Sequence, residues 1–234
     1  MNTVSLSLFR FASLPARIWV FGQMGAARLA FMRMPEVGFY KLCGSGTGEG
    51  FTPKPNTAVW AILATWPDAE TARNRTQTAP VYRRWLGRAS ESWTILLEPT
   101  SARGKWSGQE PFIPSDTPNT GPVVALTRAT MRMATFLRFW RRVPDISAVI
   151  GHDTNVIFKI GIGEVPLLHQ VTFSIWPDAA SMAKFARGNG PHGRAIQAVR
   201  AENWFSEELY ARFRILDNWG TWGGKNPLAT KDAA

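Results

Sequence analysis

The chain is poor in the residues that carry most metal and nucleophile chemistry. It has one cysteine, three histidines and three tyrosines in 234 residues. A single Cys excludes an internal disulfide framework and suits a reducing compartment. No HExxH occurs and no two histidines stand four apart, which argues against zinc or nonhaem iron held by several imidazoles. There is no Gly-x-Ser-x-Gly and no Ser/His/Asp or Cys/His order that points to a covalent nucleophile. Acidic residues are also in short supply, with 17 Asp and Glu against 27 Lys and Arg, a net charge of +10. Such a balance suits nucleic acid, an anionic membrane or an acidic protein. Without a zinc finger, an RRM signature or a basic zipper, nucleic acid is not expected as a partner. Long apolar runs are missing as well, the best candidate being broken by Arg17, Arg28 and Arg33. The first ten residues lack the basic start and apolar stretch of a signal peptide. The expectation is a cytoplasmic protein, with peripheral contact at the inner face of the membrane left open.

What the chain has in excess is aromatic surface, with 11 Trp and 14 Phe, and a repeat. Trp66-Pro67-Asp68-Ala69 returns as Trp176-Pro177-Asp178-Ala179, about 110 residues later, the size of a small domain rather than of a solenoid unit. Each copy follows an apolar run and precedes a helix-prone stretch. Leu8-Phe9-Arg10 aligns with Leu126-Thr127-Arg128, Phe39-Tyr40-Lys41-Leu42 with Ile157-Phe158-Lys159-Ile160, and Pro80-Val81 with Pro191-His192.

Periodicity gives strands at 4–11, 39–43, 59–65 and 93–97, with helices at 15–34, after Pro67-Asp68, and at 81–89. The second half repeats the order: strand 123–128, helix about 131–142, strands 156–161 and 171–176, a helical region 178–205, and strand 210–216. Each half reads as a ferredoxin-like βαββαβ unit. The expected fold is α+β: two tandem halves fused into a pseudo-dimeric form of the dimeric α/β barrel. The divisions are 1–98, a Pro/Gly/Ser-rich linker 99–122, 123–220, and a frayed tail 221–234.

Several positions are candidates for chemistry. The loop Gly44-Ser-Gly-Thr-Gly-Glu-Gly50 runs into two prolines and a strand instead of a helix, so it is not a phosphate loop. It reads as a β–β loop flanking a pocket, or as a plain connector. His192 stands at the start of the second half's last helix, where the first half has Val81. It is either a specialised ligand or an exposed helix-start histidine. His169 and His152 read as structural, Cys43 as a core residue, and Glu164, Glu202, Glu207 and Glu208 as charged helix surface. Trp204 and Phe205 lie on an expected helix 197–210, where they line an apolar tunnel or pack on the sheet. The basic helices at 15–34 and 131–142 are either lipid-facing or simply amphipathic.

Five strings resemble the spheroidene monooxygenase family of carotenoid biosynthesis: Thr3–Phe11, Gly44–Asn56, Phe158–Pro166, Val171–Asp178 and Arg200–Phe213. The resemblance runs to about Gly224. It implies a haem b (iron) enzyme that oxidises C-2 of an acyclic carotenoid to a ketone by two hydroxylations, with electrons from reduced ferredoxin. No family motif fixes the iron ligand. His192 is inferred as that ligand, Gly46, Gly48 and Lys54 as cofactor-binding with Lys54 at a propionate, and Phe51, Trp204 and Phe205 as substrate-lining. A noncatalytic carrier of haem or another apolar ligand is the alternative.

Overall fold

Apolar residues at every second position of the first strand, Val4, Leu6 and Leu8, are wholly buried, and that alternation sets the architecture. The computed structural model describes residues 3–47, 54–132, 156–165, 168–187 and 204–229. Its strands are β1 (Thr3–Arg10), β2 (Tyr40–Gly46), β3 (Pro55–Trp66), β4 (Glu91–Gly104), β5 (Val123–Met131), β6 (Phe158–Gly163), β7 (His169–Trp176) and β8 (Phe205–Gly220). They close into one antiparallel barrel in the order β1-β3-β2-β6-β7-β5-β8-β4, with β4 pairing back onto β1. The first four strands run 4-1-3-2 and the last four run 8-5-7-6, the same order twice. β2–β6 and β4–β8 are the two seams.

The barrel interior is filled by the inward residues of all eight strands, among them Leu63, Trp93, Leu126, Ile160, Phe173 and Phe213. A second core lies outside the first half, under α1 (Leu14–Met32), α2 (Ala69–Thr78) and α3 (Pro80–Leu86). There Phe9 meets Trp85 edge to face at 5.2 Å, and Val81, Tyr82 and Phe31 are buried. A smaller cluster of Val123, Trp176 and Met182 sits under α4 (Ala179–Arg187). Both repeated Trp-Pro-Asp segments turn a strand into a helix by one device. Asp68 accepts from the Thr71 N–H and Asp178 from the Ser181 N–H, each at 2.7 Å, capping orphan donors of the first helical turn.

Pairing corrects the alignment of the halves. Thr3 pairs with Trp66 and Val123 with Trp176, so Leu8 corresponds to Arg128 and Phe9 to Ala129, two residues from the match read in the sequence. Gly44 pairs with Gly163 at the β2–β6 seam. Counted from Trp66 and Trp176, Leu63 is equivalent to Phe173, and these pair with Lys41 and Ile160; hence Phe39 matches Phe158, Lys41 matches Ile160 and Ser45 matches Glu164. The sequence match of Lys41 with Lys159 would set an inward residue against an outward one, which a period of two forbids.

Element limits differ in three further places. β4 runs through Pro99 to Gly104, into the stretch read as linker. Phe205 lies in β8 and Trp204 directly before it, so neither is helical there. Inward Leu209, Ala211 and Phe213 alternate with outward Tyr210, Arg212 and Arg214 and make this segment a strand. The start of the expected tail, far from frayed, folds into a bridge between Trp222 and Lys225, with Leu228 against the barrel core. The expected helix at 131–142 falls outside the described residues beyond Arg132, as does the helical region from 188 to 203.

Candidate functional site

Each half ends in a tight turn opened by a tryptophan, Trp106-Ser-Gly-Gln109 after β4 and Trp222-Gly-Gly-Lys225 after β8, each entered through a glycine, Gly104 or Gly220. The entry glycines have φ of +96° and +90°, and a Cβ there would lie 2.1 Å from Glu208 O and 2.2 Å from Ser92 O. Only glycine allows the chain to double back this closely. Because the strands are antiparallel, the two turns cover opposite ends of the barrel.

The end under Trp106 is shut. Trp106 is wholly buried and donates its Nε1–H to Glu164 Oε2 at 2.8 Å. Lys41 Nζ lies 2.7 Å from Glu164 Oε1 and donates to Ser107 Oγ at 2.6 Å. The Arg128 guanidinium, 1% exposed, pairs with Glu207 and lies 5.8 Å from the Trp106 ring centre. Glu207 also accepts from the N–H groups of Ser107 and Gly108 at 2.9 and 2.7 Å. Burial alone would raise the Glu207 carboxyl, but these two amides and the Arg128 charge outweigh it and hold its pKa below the usual value. His169 Nδ1 lies 3.3 Å from Glu164 Oε2. Glu164 and Glu207, expected on a helix surface, are instead the anions of a closing ion cluster. Arg128 carried the missed signal: it follows Val124 and Leu126 at inward spacing and therefore needs a buried anion.

The opposite end, among the described residues, is less deeply covered. The counterparts of Lys41, Glu164 and Arg128 here are Ile160, Ser45 and Leu8, none of them charged. A cavity of about 450 Å³ occupies this mouth, with Val59, Phe158 and Ile160 as apolar wall and Arg10, Asn56 and Lys159 among its polar lining. Trp222, only partly buried, borders it beneath the Arg10 guanidinium at 4.6 Å. Arg10 pairs with Glu91 at 3.0 Å, and Glu91 accepts from the Gly224 N–H at 2.7 Å. Burial would raise the Glu91 carboxyl, and the amides of Gly224 and Gly223 with Arg10 bring it down instead.

Ser45 and Gly46 line this cavity, so the base of the glycine-rich loop borders a pocket. Lys54 is exposed, with its carbonyl accepting from the Thr47 N–H at 2.8 Å. Gly48, Phe51, His152 and His192 lie outside the described residues. Trp204 and Phe205 stand at the start of β8, at the end of the barrel away from Gly46, with Phe205 paired to Met131 of β5. The structure therefore brings Gly46 and the loop base together at one mouth and keeps Trp204 and Phe205 at the other. Cys43 is buried inside the barrel as expected, and burial pushes its thiol pKa far up. His169 opens β7, also as expected.

Ser7 and Thr94, in the first half, are buried beneath helices and bonded to each other at 2.9 Å. Their counterparts by register are Thr127 and Tyr210, which pair across β5 and β8. Thr127 is exposed in the middle of a central strand. Arg212, on the same face, is exposed too. Among the described residues, no group of three or more His, Cys, Asp or Glu could hold a metal ion.

No family model matches the chain. Two crystal structures of aldoxime dehydratase, one in complex with butyraldoxime, share its fold with a TM-score of 0.60 at 9% identity, covering 92% of this chain and 80% and 82% of theirs. Much closer in sequence are spheroidene monooxygenases. That of Cereibacter sphaeroides is 58% identical over 97% of this chain and 71% of its own length. Those of Rhodobacter capsulatus and Rubrivivax gelatinosus are 55% and 34% identical, over 99% and 90% of this chain and 97% and 81% of theirs. At such identity over nearly its full length, the chain belongs to the spheroidene monooxygenase family.

Proposed function

We propose that the protein is a haem-dependent monooxygenase that places a keto group on C-2 of an acyclic carotenoid, converting a spheroidene-type substrate to the corresponding ketone with electrons from reduced ferredoxin. The observation that carries this reading is the likeness to three spheroidene monooxygenases over 90–99% of the chain. Each hydroxylation uses one O₂, two electrons and two protons, leaves one oxygen atom on carbon and releases the other as water. The second gives a gem-diol, which expels water to become the ketone.

Haem, when bound, would supply the activation of O₂ and would need one ligand from the protein. The proposed seat is the outer face of β5, β7 and β8 around Thr127, which is exposed where the first half has a buried serine. Val81, aligned with His192, is buried at the start of α3 over the first half's outer face. By that sequence match alone, His192 is the proposed ligand. Arg212 on that surface offers a cation to a propionate. Phe205, through its partner Met131 on the same side of β5, is proposed with Trp204 to line the polyene channel. Gly46, in β2, lies three strands from β5 around the ring, and Lys54, just before β3, four. Gly46 and Lys54 are proposed to serve at the cavity beside Ser45, with Gly48 and Phe51 of the same loop assigned by sequence alone.

We infer further that the two halves, 1–98 and 123–220 with the connecting 99–122 and the tail 221–234, descend from one duplicated ferredoxin-like unit. The repeated strand order, the two Asp caps and the two glycine–tryptophan turns support this. A bilayer-dissolved substrate also calls for peripheral contact with the membrane's inner face, and the basic balance suits both that surface and an acidic ferredoxin.

The test is haem titration of the full chain followed by turnover with carotenoid, ferredoxin and reductase. A stoichiometric Soret band and a ketone product are expected, with His192→Ala losing both. Haem uptake without product would favour the noncatalytic carrier, and no uptake under any condition would overturn the haem reading.

A further inference from the structure

We propose that the outward face of α1 docks on an anionic lipid bilayer, the helix lying in the plane of the membrane. This names the surface for the peripheral contact inferred above; it rests on that reading for its purpose and on the geometry of α1 for its location. Eight large hydrophobic residues are exposed among the described residues, and five of them, Leu14, Ile18, Phe21, Leu29 and Met32, are on this one helix, each 59–75% exposed. At 100° per residue the five fall within an arc of about 80°. Val20, Ala27 and Phe31, the buried residues of the helix, lie on the opposite side. The helix thus has two apolar faces, and the protein's own core uses only one of them. A water-soluble helix surface ordinarily pairs its buried stripe with a polar one; a second apolar stripe on 19 residues calls for an apolar partner.

Charge identifies that partner. α1 contains no Asp or Glu. Arg17 and Arg28 flank one side of the stripe, and exposed Arg33 follows its end. A groove of about 570 Å³ adjoins the stripe at Leu29 and runs between α1 and α3, with Arg33 and Arg84 among its lining. Apolar residues between arginines on a helix match the acyl and phosphate layers of a bilayer rich in anionic lipid. No helix among the described residues is long and apolar enough to cross a membrane, which leaves α1 to lie on one. A second copy of this chain is a poorer occupant, because two-fold pairing of the face would bring like-charged arginines together with no carboxylate from the helix between them.

The experiment is co-sedimentation of the full chain, without haem, ferredoxin or substrate, with vesicles of phosphatidylcholine alone and of phosphatidylcholine with phosphatidylglycerol. Binding to the anionic vesicles is expected, at least tenfold weaker for the Ile18→Gln/Phe21→Gln/Leu29→Gln variant and salt-sensitive in a way that Arg28→Gln/Arg33→Gln reduces. Ile113→Gln, exposed elsewhere, should bind like the parent. Thermal unfolding checks that the variants stay folded, since the replaced side chains are on the surface. No sedimentation with anionic vesicles, or equal binding by the triple variant, would overturn the proposal. So would light scattering that finds a dimer abolished by the same three substitutions, or loss in that variant of ferredoxin binding alone. Because no cofactor or turnover enters the assay, its failure would leave the oxygenase reading standing, and failure of haem uptake would leave the lipid result standing.

Discussion

Trp106 and Trp222 occupy the same position in the two halves and cover opposite ends of one barrel, yet Trp106 is wholly buried and Trp222 only partly so. Replacing Trp106 with Ala removes a packed indole and the hydrogen bond to Glu164, and should cost about 3–5 kcal/mol. Trp222→Ala should cost no more than about half of that. Denaturant unfolding of the two variants reads the difference, and equal losses would contradict the contrast between a shut and a less deeply covered end.

Glu164 neutralises Lys41 and supports Arg128, so Glu164→Gln leaves buried cations short of an anion. A loss of about 3 kcal/mol is expected. The Lys41→Met/Glu164→Leu double variant should recover part of it, because it removes both charges together. A double-mutant cycle on the unfolding free energies measures the coupling.

The two entry glycines should not tolerate a side chain. Gly104→Ala and Gly220→Ala each place a methyl against a carbonyl oxygen at positive φ, and each should lower stability by at least about 1–3 kcal/mol. Gly22→Ala, at a helix position with open space around it, should raise stability slightly or leave it unchanged. Melting temperatures of the three variants suffice.

Both turns should loosen in acid. The Glu91 and Glu207 carboxyls are held below their usual pKa in the folded chain. Their stabilisation is therefore complete above the unfolded carboxylate value, about 4.3, and is lost as pH falls from there through the depressed folded values. Unfolding free energy should fall over that interval, with a shallower slope in the Glu91→Gln/Glu207→Gln variant.

Cys43 should resist thiol reagents. It is buried in the barrel with its pKa pushed up, first by burial and then by the nearby Glu164 charge. Titration with an aromatic disulfide should find no reactive thiol in the folded protein and one after denaturation. Rapid labelling of native protein would mean that the barrel wall opens.

Much of this architecture can be read along the chain, because local rules govern it. Pro15 and Pro35 bracket α1, Asp68 and Asp178 announce helix starts, and alternation marks β1 and β5. Register is less legible. The like-looking Lys41 and Lys159 suggest an alignment that is one residue off, and only pairing partners can count the positions. The strand at Phe205 was concealed by Glu207, Glu208 and Tyr210, which read as a polar helix face until Arg128 and the Ser107 and Gly108 amides are seen to claim Glu207. The shut end was concealed for a similar reason: Lys41, Trp106, Arg128 and Glu164 come from four separate segments, and their sequence spacing carries no trace of their meeting. The glycine–tryptophan turns, in contrast, were in plain view as a second repeat.

A ring assembled from two copies of one chain must carry identical side chains at its two rims. Here each rim is written by its own stretch of sequence, and the differences at Lys41 and Ile160, Glu164 and Ser45, and Arg128 and Leu8 make the vessel directional. One rim holds a buried ion cluster and the other uncharged residues at the same three positions, so the two ends of the side-chain-filled barrel present different surfaces. The same single-chain construction lets either rim change by one substitution without disturbing the other.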